Sequence, residues 1–184
     1  GLKFMAYNMK DVFYLDTAVT TGTSTGTIAQ QLDLSSYVDP IARGRSKGTG
    51  LAVYKVHFDI SHSDGNSPVA AATTGTFRAG LMSLSGVPSG SFTLEDNTMN
   101  AASDLMIAGV NFYAGGTAAG DPAPNTFLEP SPDVPYVVVR DQIVLIADIT
   151  TAMSVSAIVN VRLECAQVTL DQATLNQLLR TQTV

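Results

Sequence analysis

The feature that most restricts this chain is a strict two-residue alternation of apolar and polar side chains over long stretches. From Leu51 to Ile60, Ala52, Tyr54, Val56, Phe58 and Ile60 fall on one side of an extended backbone, and Val53, Lys55, His57 and Asp59 fall on the other. From Val155 to Cys165, the residues Val155, Ala157, Val159, Val161, Leu163 and Cys165 alternate with Ser156, Ile158, Asn160, Arg162 and Glu164. Successive side chains of a strand point to opposite faces, so each segment meets the needs of core and water together only as a half-buried strand. A helix would scatter the same residues around its circumference.

Shorter strands are expected at Val12 to Val19, Gly26 to Leu34, Thr74 to Leu84, Ser91 to Leu94, Leu105 to Tyr113, Tyr136 to Arg140 and Gln142 to Ile149, with an N-terminal piece from Leu2 to Tyr7. Glycine and proline clusters at 63–68, 86–90, 114–125 and 129–135 separate them, because glycine supplies positive φ and proline removes a backbone donor. Many short strands without alternating helices give an all-β, antiparallel β-sandwich, and about eight strands suffice for a jelly roll. The stretch from Ala114 to Pro135 reads as one long loop, of the kind that is usually either functional or disordered. A single helix is expected near the C-terminus, where Leu175, Leu178 and Leu179 share a face and Thr169 with Gln172 form a capping box. The whole chain, 1–184, reads as one domain, with 1–11 as an N-terminal arm and 170–184 as a C-terminal helix and tail.

Composition narrows the function. Only 14% of residues are charged, against roughly a quarter in an ordinary soluble domain. The chain is 45% hydrophobic with a mean hydropathy of +0.18, yet no apolar run nears the roughly 18 residues of a membrane helix. A β-rich chain so poor in charge is expected to cover much of its exterior with other subunits. The net charge of −6 and the pI near 4.6 repel phosphate backbones, so no direct contact with nucleic acid is expected. The one cysteine, Cys165, excludes an internal disulfide and sits in the apolar register of its strand, as a small core residue would.

Three clusters carry candidate chemistry. Leu15, Asp16, Thr17 and Ala18 resemble the hydrophobic-Asp-Thr-Gly/Ala signature of aspartic proteases, whose two carboxylates share a proton, so one copy per chain would require a dimer. The plainer reading of Asp16 is a strand running into a Thr/Gly-rich turn. His57, Asp59, His62 and Asp64 have metal-ligand side chains, and His57 with Asp59 would project from one face of a strand. Their spacing fits no standard metal motif, Asp64-Gly65-Asn66 is an ordinary turn, and metal binding stays an open alternative to a solvated strand end. Arg43, Arg45 and Lys47 would line one side of an extended backbone and touch either a phosphate or an acidic neighbour, or form a solvated loop. No Gly-x-Ser-x-Gly elbow and no Ser-His-Asp or Cys-His set is assembled, so no catalytic residues, cofactor or small-molecule substrate are expected.

An all-β chain of this size, with Gly/Pro-rich loops, few charges and no catalytic set from Val12 to Leu170, resembles the single jelly-roll capsid proteins of icosahedral viruses. Small RNA-virus coats often carry an arginine-rich arm, whereas Gly1 to Asp11 holds only Lys3 and Lys10. The resemblance is therefore closer to the single jelly-roll major capsid proteins of membrane-containing DNA viruses. It implies a structural protein of the virion that assembles with copies of itself and with a second capsid protein, over an underlying viral membrane. The alternative is an extracellular β-sandwich that binds carbohydrate or protein through loops such as 61–68 and 114–135. A dimeric aspartic protease built on Asp16 is a third reading.

Overall fold

The computed structural model describes residues 12–39, 47–84, 90–91, 99–115 and 123–181. In chain order the elements are β1 (Val12–Thr20), β2 (Gly26–Asp33), β3 (Lys47–His62), β4 (Thr74–Met82), β5 (Gly90–Ser91), β6 (Met106–Gly115), β7 (Ala123–Leu128), β8 (Tyr136–Val138), β9 (Gln142–Thr151), β10 (Ala157–Asp171) and α1 (Gln172–Thr181). The strands form two antiparallel sheets, one in the order β1-β10-β3-β8 and the other in the order β5-β2-β9-β4-β6-β7. Setting aside β5 and β7 at the edges, the chain crosses between sheets at every step except β4 to β6. First and last strands pair, and the second pairs with the ninth, which is the nested connectivity of an eight-stranded jelly roll. The expected all-β sandwich with a short C-terminal helix is thus the fold. The expected N-terminal piece from Leu2 to Tyr7 lies outside the described residues.

The inner faces meet in one apolar core. Leu51, Val53, Val56, Val159, Val161, Leu163 and Cys165 from the smaller sheet pack against Phe77, Leu81, Val110, Phe112, Ile143, Leu145 and Ile149 from the larger. Phe77 and Phe112 are direct cross-strand partners and stack at 4.9 Å. The alternation in β10 runs as expected, but that in β3 changes phase. Glu164 stands opposite Lys55 while Cys165 stands opposite Val53, so Tyr54 is a bulge with no partner on β10. Leu51 and Val53 therefore face the core, whereas the unbroken alternation had placed Ala52 and Tyr54 on the face of Val56.

The two outer faces differ, and this difference positions the candidate site. On the larger sheet, Gly80 and Gly109 are cross-strand partners and leave a shallow floor. Met99, Met106 and Phe127 fill it, since a Cβ on Gly80 would lie 2.3 Å from Met106 Cε and one on Gly109 would lie 2.3 Å from Phe127 Cζ. With Ala29, Met82, Leu105, Val144 and Ile146 they form a second apolar cluster, so the chain covers this face itself. Arg78 pins the cover, donating from Nε to Asn111 Oδ1 (2.8 Å) and from an Nη to the Met99 carbonyl (3.1 Å) while lying over the Phe127 ring. Because β7 belongs to this sheet, the stretch 114–135 is not one continuous loop: Ala123–Leu128 pairs with β6.

On the smaller sheet, α1 covers the end that begins β3. Leu175 is fully buried against Gly48, where a Cβ would lie 2.7 Å from its Cδ2, and Leu178 and Leu179 are half-buried. The helix cap also departs from expectation. Thr169 is still strand, paired with Thr49, and Asp171 caps the helix by accepting from the Thr174 N–H (2.7 Å). Pairing to β3 carries β10 two residues past Thr169 and moves the cap with it.

Candidate interaction surface

The rest of the smaller sheet's outer face is open, and register builds it in rows across β1, β10 and β3. Tyr14 stands beside Glu164 and Lys55, Asp16 beside Arg162 and His57, and Ala18 beside Asn160 and Asp59. These are the polar halves of three alternating strands, turned away from the core for the reason that made them strands. All of these but Lys55 line, with Thr17, Val161 and Gly65 of the adjoining turn, an open concavity of about 900 Å³.

The groups satisfy one another in part. His57 Nε2 and Glu164 Oε2 are 2.6 Å apart, an exposed pair worth about 0–1 kcal/mol. The Arg162 guanidinium lies 5.2 Å from the Tyr14 ring centre. Asn160 donates to the Asp59 carbonyl and to Ser61 Oγ, both at 3.1 Å. The result is a polar surface of mixed charge, with its donors and acceptors mostly on a sheet rather than on loops.

Each sequence-level candidate can now be placed. Asp16 lies in the middle of β1 and is exposed, with Arg162 as its register partner rather than a second aspartate. His57 and Asp59 do share a face, as the alternation requires. His62 and Asp64 form a separate pair, 3.7 Å apart, in the following turn. Asp64 organises that turn by accepting from the N–H groups of Asn66 (2.8 Å) and Ser67 (3.0 Å) and from the Ser67 hydroxyl, and these bonds hold its carboxyl below the usual range. Among the described residues no three His, Cys, Asp or Glu side chains come close enough to share a metal ion. Arg43 and Arg45 lie outside the described residues, and Lys47 opens β3 opposite Asp171. Cys165 is fully buried, and burial pushes its thiol up to about 12.

Sequence reasoning did not single out Tyr14, Asn160, Arg162 or Glu164. Alternation gave the outward direction of the last three; their meeting with Asp16 and His57 depends on strand pairing across more than a hundred residues. No protein-family model matches this chain, and no curated protein matches its sequence.

Proposed function

We propose that this chain is a structural coat protein that assembles with copies of itself into an icosahedral viral shell, without enzymatic activity. The observation that carries the reading is the jelly-roll connectivity around a solid apolar core, β1-β10-β3-β8 facing β2-β9-β4-β6. That architecture serves capsid and lectin domains and cupins. Here the buried polar residues among those described are Thr21, Ser61, Thr73, Ser83 and Gln142, with no charged residue inside the sandwich. Recognition is therefore a matter of surfaces, and a chain with 14% charged residues suits repeated interfaces of about 1,200–2,000 Å² each. A second capsid protein and an underlying viral membrane belong to the same proposal, with the virion as its location.

The open concavity favours a second reading, an extracellular binding module whose ligand sits on the sheet over Tyr14, Asp16, His57 and Arg162. Negative-stain imaging of the concentrated chain beside a glycan-array screen separates the two. Rings or shells with a blank array are the expected result. Isolated particles that bind glycans, with binding lost in Arg162→Ala, would replace the coat reading with the second.

A further inference from the structure

The four-stranded sheet ends in an edge that is built unlike the others. β8 is three residues long and follows Pro135. Beyond β8, the edge of β3 is broken by the Tyr54 bulge, carries Lys55, His57 and Asp59, and is closed by a bridge from Ser61 to Pro68. In the larger sheet β5 has two residues, its neighbour β2 opens on Gly26 at φ +136° and ends on Asp33, and β7 contains Pro124 and pairs through a bulge. Short length, charge, proline and bulges are the devices that stop sheets from joining. β1 has none of them except the single charge of Asp16. It runs nine residues in unbroken register with β10, without Pro, Gly or Lys, and its free side pairs with no strand among the described residues.

Which of its backbone groups face the outer side follows from one contact. The Thr21 N–H donates to the Ala157 carbonyl (2.8 Å), and bonded pairs alternate along an antiparallel ladder. Phe13, Leu15, Thr17 and Val19 therefore spend their backbone groups on β10. Val12, Tyr14, Asp16, Ala18 and Thr20 direct theirs to the open edge.

We infer that this edge pairs antiparallel with β1 of a second copy about a two-fold axis, joining two four-stranded sheets into one. The inference rests on the self-assembly reading above and gives it a first contact. One register pairs the exposed apolar residues of the strand best. Pairing Asp16 with Asp16 would set like charges opposite each other, which disfavours the register of greatest overlap. A shift that puts Leu15 opposite Leu15 sets Tyr14 against Asp16, Val12 against Ala18 and Phe13 against Thr17. It makes about eight backbone hydrogen bonds. It also covers Val12 and Tyr14, which are 44% and 62% exposed and are two of the four exposed large hydrophobics among the described residues. The inward row, Phe13 and Leu15, extends the core across the axis, and the outward row continues the polar surface of Asp16 and Arg162.

Native mass spectrometry of the full chain tests this with two variants. In Ala18→Pro the lost N–H is one that faces the open edge, so the β10 ladder survives and the fold is retained by circular dichroism while dimers weaken at least about tenfold. Leu15→Cys places two thiols at a non-bonded pair about 4.5 Å apart between Cα atoms, and mild oxidation gives a covalent dimer. The variant is made in a Cys165→Ala background, because the buried Cys165 thiol lies against the Leu15 backbone and would compete for the new thiol. If the wild-type chain assembles, Ala18→Pro assembles equally well and Leu15→Cys stays unlinked, copies meet elsewhere; the edge inference is overturned while the coat reading stands. A disulfide that forms between Leu15→Cys and Thr17→Cys chains in a mixture, in place of one between two Leu15→Cys chains, overturns the register, since 15 opposite 17 belongs to the Asp16-on-Asp16 pairing. A wild-type chain that is monomeric at every concentration overturns both readings.

Discussion

At the scale of single residues, the outer floor of the larger sheet is decided by what glycine lacks. At Gly109 an added Cβ meets the ring of Phe127 at 2.3 and 2.6 Å, a flat and rigid neighbour, whereas at Gly80 the close atoms belong to the flexible ends of Met106 and Met99. Gly109→Ala is therefore expected to cost about 1–3 kcal/mol and Gly80→Ala less, read from urea denaturation midpoints at constant slope. Equal losses at the two sites would mean that Phe127 does not seat as described. Cys165 shows the other side of residue-level reasoning, because its place in an apolar register was enough to assign it to the core. Tyr54 shows the limit. Nothing local marks it as a bulge, since its phase change is set by the pairing of β3 with β10, more than a hundred residues apart in sequence.

Among the elements, β8 is paired to β3 and is also tied down by one phenol. The Tyr136 hydroxyl donates to the Asp104 carbonyl at 2.6 Å, and burial pushes its pKa up from 10.0 to about 12. A folded-state value above the unfolded one means that the neutral phenol's contribution is complete below about pH 10 and is lost as the pH rises towards 12. Tyr136→Phe is expected to cost about 1 kcal/mol at neutral pH and to flatten the decline of the melting temperature between pH 10 and 12. An unchanged alkaline decline in the variant would assign the loss to other groups. Cys165, moved from 9.0 to about 12 by burial, adds a loss of the same sign that begins lower, near pH 9. Element positions were the most legible part of the sequence, because strand alternation is local and turn residues punctuate it. Ala123–Leu128 was hidden because Pro124 and Asn125 read as loop, and only pairing with β6 makes it a strand. The helix was found, but its cap slid from Thr169 to Asp171 once β10 continued along β3.

For the whole molecule, the sandwich follows from alternation, but the inequality of its outer faces does not. One face is roofed by Met99, Leu105 and Phe127 from its own chain; on the other, α1 covers one end and leaves Tyr14, Asp16, His57, Arg162 and Glu164 open beside the edge of β1, which pairs with no further strand among the described residues. Low charge hinted at covered surfaces without saying which, because pairing order and cover are properties of the fold. The candidate surface is thus half legible: alternation puts His57 and Asp59 on one face and Asp16 stands out separately, but nothing local predicts the register that gathers them. Copies of the chain are expected to assemble through this side, which sedimentation velocity of the full chain over a concentration series would detect. The expected boundaries move from a dimer to larger species as concentration rises. A single 19.3 kDa species throughout the series would contradict it.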